Sequence, residues 1–279
     1  MIERNPITGD PLIVAPERAA RPDLFREAQT GVSVPQSQDR CPFCAGNEAD
    51  TPPEIWRDGT PWRVRVFPNK FPATDRHEVI VESPEEHTTF DQLPPEHASL
   101  VVDAYINRYY SRKSEYTAIF KNHGPAAGAS IPHSHSQLIG TPFLPRRIVR
   151  EAIAFRGSCP LCDLREHPAI AETEHYRWVA SRGSMMAYEQ WIVPRRHEPE
   201  MRTGLELASL MQRSTRAMLT ISDSFNWMFI NFPNNPRAHW YLQLFPRLTA
   251  HAGFELGTGS AINGVDPVDA ASLLASRAG

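Results

Sequence analysis

No apolar run in this 279-residue chain approaches the roughly 18 residues that a membrane-spanning helix needs. The opening Met1-Ile-Glu-Arg-Asn-Pro lacks the basic-then-apolar order of a secretory leader. These two absences predict a cytoplasmic protein without membrane contact. Long basic runs are missing as well, and the net charge is −3, which argues against general nucleic-acid binding. There is no G-x-x-x-x-G-K-[ST] and no H-E-x-x-H. A zinc-deaminase pattern needs H-x-E followed by P-C-x-x-C, but Arg40 precedes Cys41 and Ser158 precedes Cys159. Cysteine is scarce, with four in the chain, too few for a disulfide frame at this length.

What is present is ordered. The four cysteines form two identical spacings, Cys41-Pro-Phe-Cys44 and Cys159-Pro-Leu-Cys162, each in turn-like, proline-containing sequence. In a cytosolic chain this spacing reads as metal binding rather than as a redox pair. Zinc ribbons also use such pairs, but with four cysteines at one site, which would leave the histidines here unexplained. The 26 prolines gather in connections such as Thr51-Pro-Pro and Gln92-Leu-Pro-Pro and mark long ordered loops.

The chain reads as two copies of one module. The first runs from Cys41-Pro-Phe-Cys44 through a strand at 78–82 to His87, a helix at 95–113, a strand at 116–121 and His133-Ser-His135-Ser-Gln137. The second runs from Cys159-Pro-Leu-Cys162 through a strand at 189–193 to His197, a helix at 205–221, a strand at 226–231 and His239-Trp-Tyr241. Order, residue type and spacing agree at four positions, which indicates a duplication rather than a solenoid. Each half predicts strands around one helix, hence an α+β fold with a mainly antiparallel sheet. The boundary is placed at 147/148, giving a catalytic half at 1–147 and a second half at 148–279.

Each half supplies one four-ligand zinc set. The first is Cys41, Cys44, His87 and His133; the second is Cys159, Cys162, His197 and His239, with His167 and His175 competing for the third place. A plain alternative for His87 is a solvated loop histidine. In an extended stretch His133, His135 and Gln137 share one face. Two imidazoles and an amide then converge beside the small-residue run at 126–130, whose backbone N–H groups suit an anion. His135 is the nucleophile in this reading, since a neutral imidazole forms covalent intermediates at pH 7. Gln137 would hydrogen-bond phosphate oxygens, and Ser130 and the backbone near Gly128 would stabilise developing charge. A third metal-binding or core histidine is the plain alternative for His135. Its counterpart in the second half is Tyr241, which suggests one catalytic and one structural half.

Several motifs together carry a resemblance. They are Arg4-Asn-Pro-Ile-Thr-Gly-Asp-Pro, Cys41-Pro-Phe-Cys44-Ala-Gly-Asn-Glu, Phe67-Pro-Asn69-Lys-Phe71-Pro, Asn122-His-Gly-Pro-Ala-Ala-Gly128-Ala-Ser130 and Gly253-Phe-Glu-Leu-Gly-Thr-Gly. The chain resembles the galactose-1-phosphate uridylyltransferase family of the histidine triad superfamily, over nearly its whole length. The resemblance implies two tandem histidine-triad-like halves and two zinc ions per chain. It implies ping-pong transfer through a covalent nucleotidyl-His135, with Gln137 on the phosphate. Nucleotide contacts would come from Phe43, Phe67, Asn69 and Phe71 around base and ribose, and from Asn122, Gly128 and Ser130 around the phosphates. Arg18 and Arg21 would hold phosphate charge across the interface of a homodimer, a task that suits guanidinium geometry. Phe254, Glu255 and Asn263 would lie near the hexose. Partners would be a nucleotide sugar and a sugar 1-phosphate, with UDP-glucose and galactose 1-phosphate as the pair. Ser134 between the histidines, and Tyr241 where a histidine is frequent, resemble a plant relative that uses ADP-glucose and phosphate. A zinc-stabilised nucleotide-binding module without turnover is the reading from another class.

Overall fold

The computed structural model describes residues 1–4, 6, 8, 9, 11–15 and 41–279. At the N-terminus two short strands, β1 (Ile2–Arg4) and β2 (Pro11–Ile13), pair with each other. Beyond residue 41 one pattern of five strands and a helix occurs twice. Its first copy is β3 (Trp56–Arg57), β4 (Arg65–Pro68), β5 (Arg76–Val81), α1 (Pro95–Ser111), β6 (Tyr116–His123) and β7 (His135–Thr141). A short helix, α2 (Arg146–Ala152), follows, and the 147/148 boundary falls inside it. The second copy is β8 (Ala169–Glu172), β9 (Tyr176–Ala180), β10 (Gln190–Pro194), α3 (Leu205–Leu219), β11 (Phe225–Ile230) and β12 (Tyr241–Pro246). Two further helices, α4 (Gly253–Thr258) and α5 (Pro267–Arg277), end the chain. No helix among the described residues is long and apolar enough to cross a membrane.

The halves share one ten-stranded sheet of order β3-β4-β5-β7-β6-β11-β12-β10-β9-β8. Every pairing in it is antiparallel, in line with the mainly antiparallel sheet expected from strands around one helix in each half. The second half repeats the strand order of the first in reverse, and the two meet where β6 pairs with β11, from His123 opposite Phe225 to Ile119 opposite Phe229. Sequence alone predicts the two halves but not this seam, because pairing between distant strands leaves no local signal.

Helices α1 and α3 lie together on one face of the sheet. In α1 the buried Ala98, Val101, Val102, Tyr105 and Ile106 recur at the spacing of one helical stripe, and Pro95 begins the helix where its missing N–H costs nothing. In α3 Leu207, Ala208, Met211 and Met218 do the same. Beneath them lie Trp178, Trp227, Trp240, Phe229 and Leu242, all fully buried. Each such side chain contributes about 1.5–3 kcal/mol relative to exposure. The opposite face is divided. In the second half it carries Ile148, Phe155 and Leu161 over Val193, Ile230 and Tyr241. In the first half it carries the smaller cluster of Phe43, Trp62, Phe67, Val79 and Val81. That cluster borders the candidate site.

Candidate active site and metal clusters

Strand β7 delivers the site by its two-residue period. His135 lies opposite Val81 and Gln137 opposite Val79, so both point to the Phe43 face, while Ser136 and Leu138 point to the helices. The Phe43 ring stands edge-on to His135 with centroids 5.2 Å apart, and 5.6 Å from Phe67. Arg65 is fully buried behind this pocket. It stacks on Phe67, pairs with Glu54 at 3.0 Å and donates to the Pro42 carbonyl, which pins the cysteine turn that carries Phe43. Asn69 accepts from the Phe71 N–H at 2.8 Å, so these two residues form one turn at the end of β4.

His135 Nδ1 donates to the His133 carbonyl at 2.7 Å. That bond fixes the tautomer and leaves the Nε2 lone pair free. Burial holds the imidazole down to about 4, so it is neutral at pH 7. A neutral ring with a free nitrogen and an oriented backbone partner meets the requirements of a nucleophile.

Gln137 is oriented by a residue that sequence reasoning missed. His77 Nδ1 accepts the Ala73 N–H at 3.0 Å, so its Nε2–H donates to Gln137 Oε1 at 2.9 Å. The amide oxygen is thereby occupied and the amide NH2 is the group left to donate. The available signal was the alternation of His77, Val79 and Val81 on one strand face.

Below the site lies a second unanticipated group. Lys121, Glu82, Ser134, Ser136 and Tyr105 are all buried on the helix side of the sheet. Lys121 Nζ reaches Glu82 at 2.6 Å, Ser134 Oγ at 2.9 Å and the His135 carbonyl at 3.2 Å. Tyr105 and Ser134 donate to Glu82 at 2.6 and 2.7 Å, and Ser136 donates to it as well. Burial alone would raise the Glu82 carboxyl, but the Lys121 ammonium and these donors hold it at about 2.

The small-residue run forms a turn after β6. Gly124 (φ 77°) packs so closely on Asp223 and Ser224 that a Cβ would meet the Ser224 Oγ at 2.3 Å. Gly128 closes the turn in the left-handed region (φ 83°). Asn226, from the second half, donates to Asn122 Oδ1 at 2.8 Å and to the Ala127 carbonyl at 3.1 Å. Ser130 is buried beside this turn.

The metal clusters assemble from the turns before each half and the entry to its last strand. In the second half Cys159, Cys162, His197 and His239 place one donor atom each within 4.8 Å of all the others. His197 Nδ1 is 3.4 Å from Cys162 Sγ, and His239 Nδ1 is 3.7 and 3.8 Å from the two sulfurs. His167 and His175 are engaged elsewhere, with the Arg182 N–H and with Glu206. In the first half Cys41, Cys44 and His133 converge, with His133 Nδ1 at 3.3 and 3.7 Å from the sulfurs. A tetrahedral zinc with sulfur and nitrogen ligands has edges of about 3.6 Å, so both donor sets fit that ion. His133 Nε2 donates to the Ser83 carbonyl at 2.8 Å, the outer contact typical of a metal-bound histidine. The structure does not bring His87 into this group: it is exposed and outside the cluster of Cys41, Cys44 and His133.

Of the other expected residues, Phe254, Glu255 and Asn263 stand apart from this site. Arg18 and Arg21 lie outside the described residues. Phe254 is exposed, Glu255 caps its own helix through the Ala252 N–H, and Asn263 donates to Ser184 and to the Met186 carbonyl in the second half.

Comparison with known proteins accords with this geometry. Residues 65–145 match the family model described as galactose-1-phosphate uridyl transferase, N-terminal domain. ADP-glucose phosphorylase of Arabidopsis thaliana is 30% identical, over 98% of this chain and 92% of that protein. Galactose-1-phosphate uridylyltransferase of Thermotoga maritima is 26% identical, over 97% and 96% of the two chains. The crystal structure of the Arabidopsis ADP-glucose phosphorylase with bound ADP-glucose superposes with a TM-score of 0.78 at 28% identity, covering 99% of this chain and 98% of that one. The chain therefore belongs to the galactose-1-phosphate uridylyltransferase family and is an enzyme of the nucleotidyltransferase class.

Proposed function

We propose that this enzyme transfers a nucleotidyl group between a nucleotide sugar and a phosphate acceptor through a covalent intermediate on His135. His135 Nε2 attacks the α-phosphorus; the P–N bond forms as the bond to the sugar 1-phosphate oxygen breaks. In the second half-reaction an acceptor phosphate oxygen attacks the same phosphorus, and the P–N electron pair returns to Nε2. No proton need move in either step. The His133 carbonyl, accepting from Nδ1–H, steadies the positive charge that develops on the ring, and the Gln137 NH2 meets the α-phosphate oxygens. The observation that carries this reading is the 2.7 Å bond from His135 Nδ1 to the His133 carbonyl, which leaves Nε2 free on the Phe43 face.

In the same reading Phe43, Phe67, Asn69 and Phe71 hold base and ribose. Asn122, Gly128 and Ser130 line the phosphates, joined by Arg18 and Arg21. Phe254, Glu255 and Asn263 belong to sugar recognition, and the cytoplasmic enzyme is a homodimer, with Arg18 and Arg21 acting across its interface. The half at 1–147 carries the covalent chemistry, and the half at 148–279 serves structure apart from these sugar contacts. Zinc at the two clusters supplies rigidity rather than reactivity; at the second, four protein ligands leave no open position. The substrate pair is UDP-glucose and galactose 1-phosphate, in keeping with the uridylyltransferase relatives. A second reading, ADP-glucose with phosphate as acceptor, is favoured by the 30% identity to the plant phosphorylase and by Tyr241.

Intact-protein mass after incubation with each nucleotide sugar tests both. A gain equal to UMP supports the first pair and a gain equal to AMP the second. A gain that survives His135→Ala sinks the mechanism, and no gain with either sugar would favour a binding module without turnover.

A further inference from the structure

We propose that Asn226, a residue of the second half, is a positioning residue of the active site: across the β6–β11 seam it fixes the Asn122 amide so that its NH2 faces the phosphates. The proposal rests on the nucleotidyl-transfer reading given above, in which Asn122 lines the phosphates. Register brings the two amides together. Asn226 of β11 lies directly opposite Asn122 of β6, and residues paired in this way share a face. That face is the one of His135 and Gln137, because Phe120 lies opposite Gln137 and Asn122 follows Phe120 by one two-residue period.

The direction of both amides follows from what surrounds them. Asn226 Nδ2 lies 3.1 Å from the Ala127 carbonyl and 3.4 Å from the Lys121 carbonyl. Carbonyls only accept, so the Asn226 amide must turn its NH2 toward them. The same NH2 reaches Asn122 Oδ1 at 2.8 Å, which obliges Asn122 to present its oxygen there. The Asn122 NH2 is left on the other side, beside the turn: a Cβ on Gly128 would stand 3.9 Å from Asn122 Nδ2. His77 imposes the same arrangement on Gln137, taking the amide oxygen and leaving the NH2 to donate.

Two observations separate this amide pair from the needs of the fold. Asn226 Oδ1 is buried and has no hydrogen-bond partner among the described residues, an arrangement that disfavours folding. The other side of the seam does without such a pair. Matching Gln137 with Gln243 across the two halves puts Ile230 at the place of Asn122 and Ala118 at the place of Asn226. Ile230 and Ala118 belong to an apolar cluster. The amides therefore occur on the His135 side alone, and the second half contributes to the site without touching the reacting atoms.

The rate at which His135 gains a nucleotidyl group tests this. It is followed by intact-protein mass in a single turnover, with whichever of UDP-glucose and ADP-glucose labels the wild type. Asn226→Leu removes the donor and keeps an apolar side chain at the seam. It should slow labelling about tenfold at saturating nucleotide sugar and move the half-saturating concentration by less than about twofold, because the oriented NH2 acts on charge that grows at the phosphate. Asn122→Ala should slow labelling at least as much, and adding Asn226→Leu to it should cost nothing further. A wild-type rate in Asn226→Leu, or additive losses in the double variant, overturns the proposal. An effect confined to the melting temperature, with the rate per folded chain unchanged, marks a structural role and overturns it too. A wild type that gains no mass with either sugar, or a gain that survives His135→Ala, overturns the nucleotidyl-transfer reading itself, which keeps the two failures apart. Should Asn226→Leu not fold, Asn226→Ala takes its place in the same cycle.

Discussion

The two halves superimpose in strand order but differ in what lies on and under their last strands. Register puts Tyr241 where His135 stands, each opposite a valine, Val193 or Val81. It puts Gln243 at the place of Gln137 and Glu189 at the place of His77. In the first half the Gln137 amide gives its oxygen to His77 and keeps its NH2. In the second half both ends of the Gln243 amide are engaged: Glu189 takes the NH2 at 2.7 Å and Arg147 holds the oxygen at 2.7 Å. The Tyr241 hydroxyl is likewise enclosed between Arg147 and Glu151 of α2, each at 3.0 Å. The same sheet surface, buried in both halves, thus keeps an amide NH2 for a substrate in one half and is a closed polar lock in the other. Beneath the strands the contrast reverses. Glu82, Lys121, Ser134 and Ser136 of the first half correspond to Pro194, Phe229, Trp240 and Leu242 of the second, which are core residues. The fold accepts an apolar layer there, so the buried charges beneath His135 are not required to build a half of this kind.

The sharpest test of that asymmetry is at the paired strand positions. His135→Ala should lower transfer by several orders of magnitude at a modest cost in melting temperature, because the ring packs on Phe43 but is not a metal ligand. Tyr241→Phe should leave the rate within about twofold and cost about 1 kcal/mol for its lost hydrogen bonds. Single-turnover rates and thermal melts of both variants decide the matter. Loss of activity in Tyr241→Phe would show that the second half takes part in the chemistry.

The buried pair beneath His135 should give the next largest effect. Lys121→Met leaves Glu82 charged and without its cation, and should cost about 3–5 kcal/mol in denaturant unfolding. The double change Glu82→Leu with Lys121→Met imitates the second half and should recover most of that loss. Its rate should nonetheless stay about tenfold low, since Lys121 no longer holds the His135 carbonyl. A double variant with full stability and a wild-type rate would mean the network has no part in positioning the nucleophile.

These contrasts show where the sequence was readable. The His-x-His-x-Gln stretch and the Cys-x-x-Cys turns carry their geometry locally: a two-residue period sets a face, and a short turn sets a ligand pair. Both helices and the strand pattern were legible for the same reason. His77 was not, because its role exists only across the strand pairing that brings it to Gln137. The place of His87 outside the first cluster was not legible either, since the direction of a loop side chain depends on which way its turn faces. The Lys121–Glu82 pair was hidden because charged residues in strands usually read as solvated. The β6–β11 seam joins segments about a hundred residues apart and leaves no mark in either.

Smaller effects separate the two amides. Gln137→Ala should lower the rate by about 10²-fold, as for one lost donor to a phosphate oxyanion, with Gln243→Ala nearly silent in rate. His77→Phe should cost about tenfold, by freeing the Gln137 amide to rotate. If His77 acts only through that orientation, adding His77→Phe to Gln137→Ala should cost nothing more. Additive losses in this double-mutant cycle would place His77 in direct contact with substrate instead.

The seam offers the smallest and most specific test. His123 ends β6 opposite Phe225, with the two rings stacked at 4.7 Å and 16°. Burial, with the Lys121 charge next, pulls its imidazole down to about 4. In the unfolded chain a histidine titrates near 6.5. Between pH 4 and 6.5 the unfolded state therefore binds a proton that the folded state refuses, and stability rises with pH across that window. The contribution is complete above about pH 6.5 and is lost as the pH falls through 4, at about 1.4 kcal/mol per pH unit where the difference is a full proton. The place of His123 in the second half is taken by Asn231, which cannot titrate there, so the seam carries this dependence on one side only. His123→Phe keeps a ring on Phe225 and removes the proton. Urea unfolding of the metal-loaded protein at pH 5 and pH 7 should show a smaller stability difference in the variant than in the wild type. An unchanged difference would mean that the acid sensitivity of the fold comes from other groups, with His123 contributing only its packing.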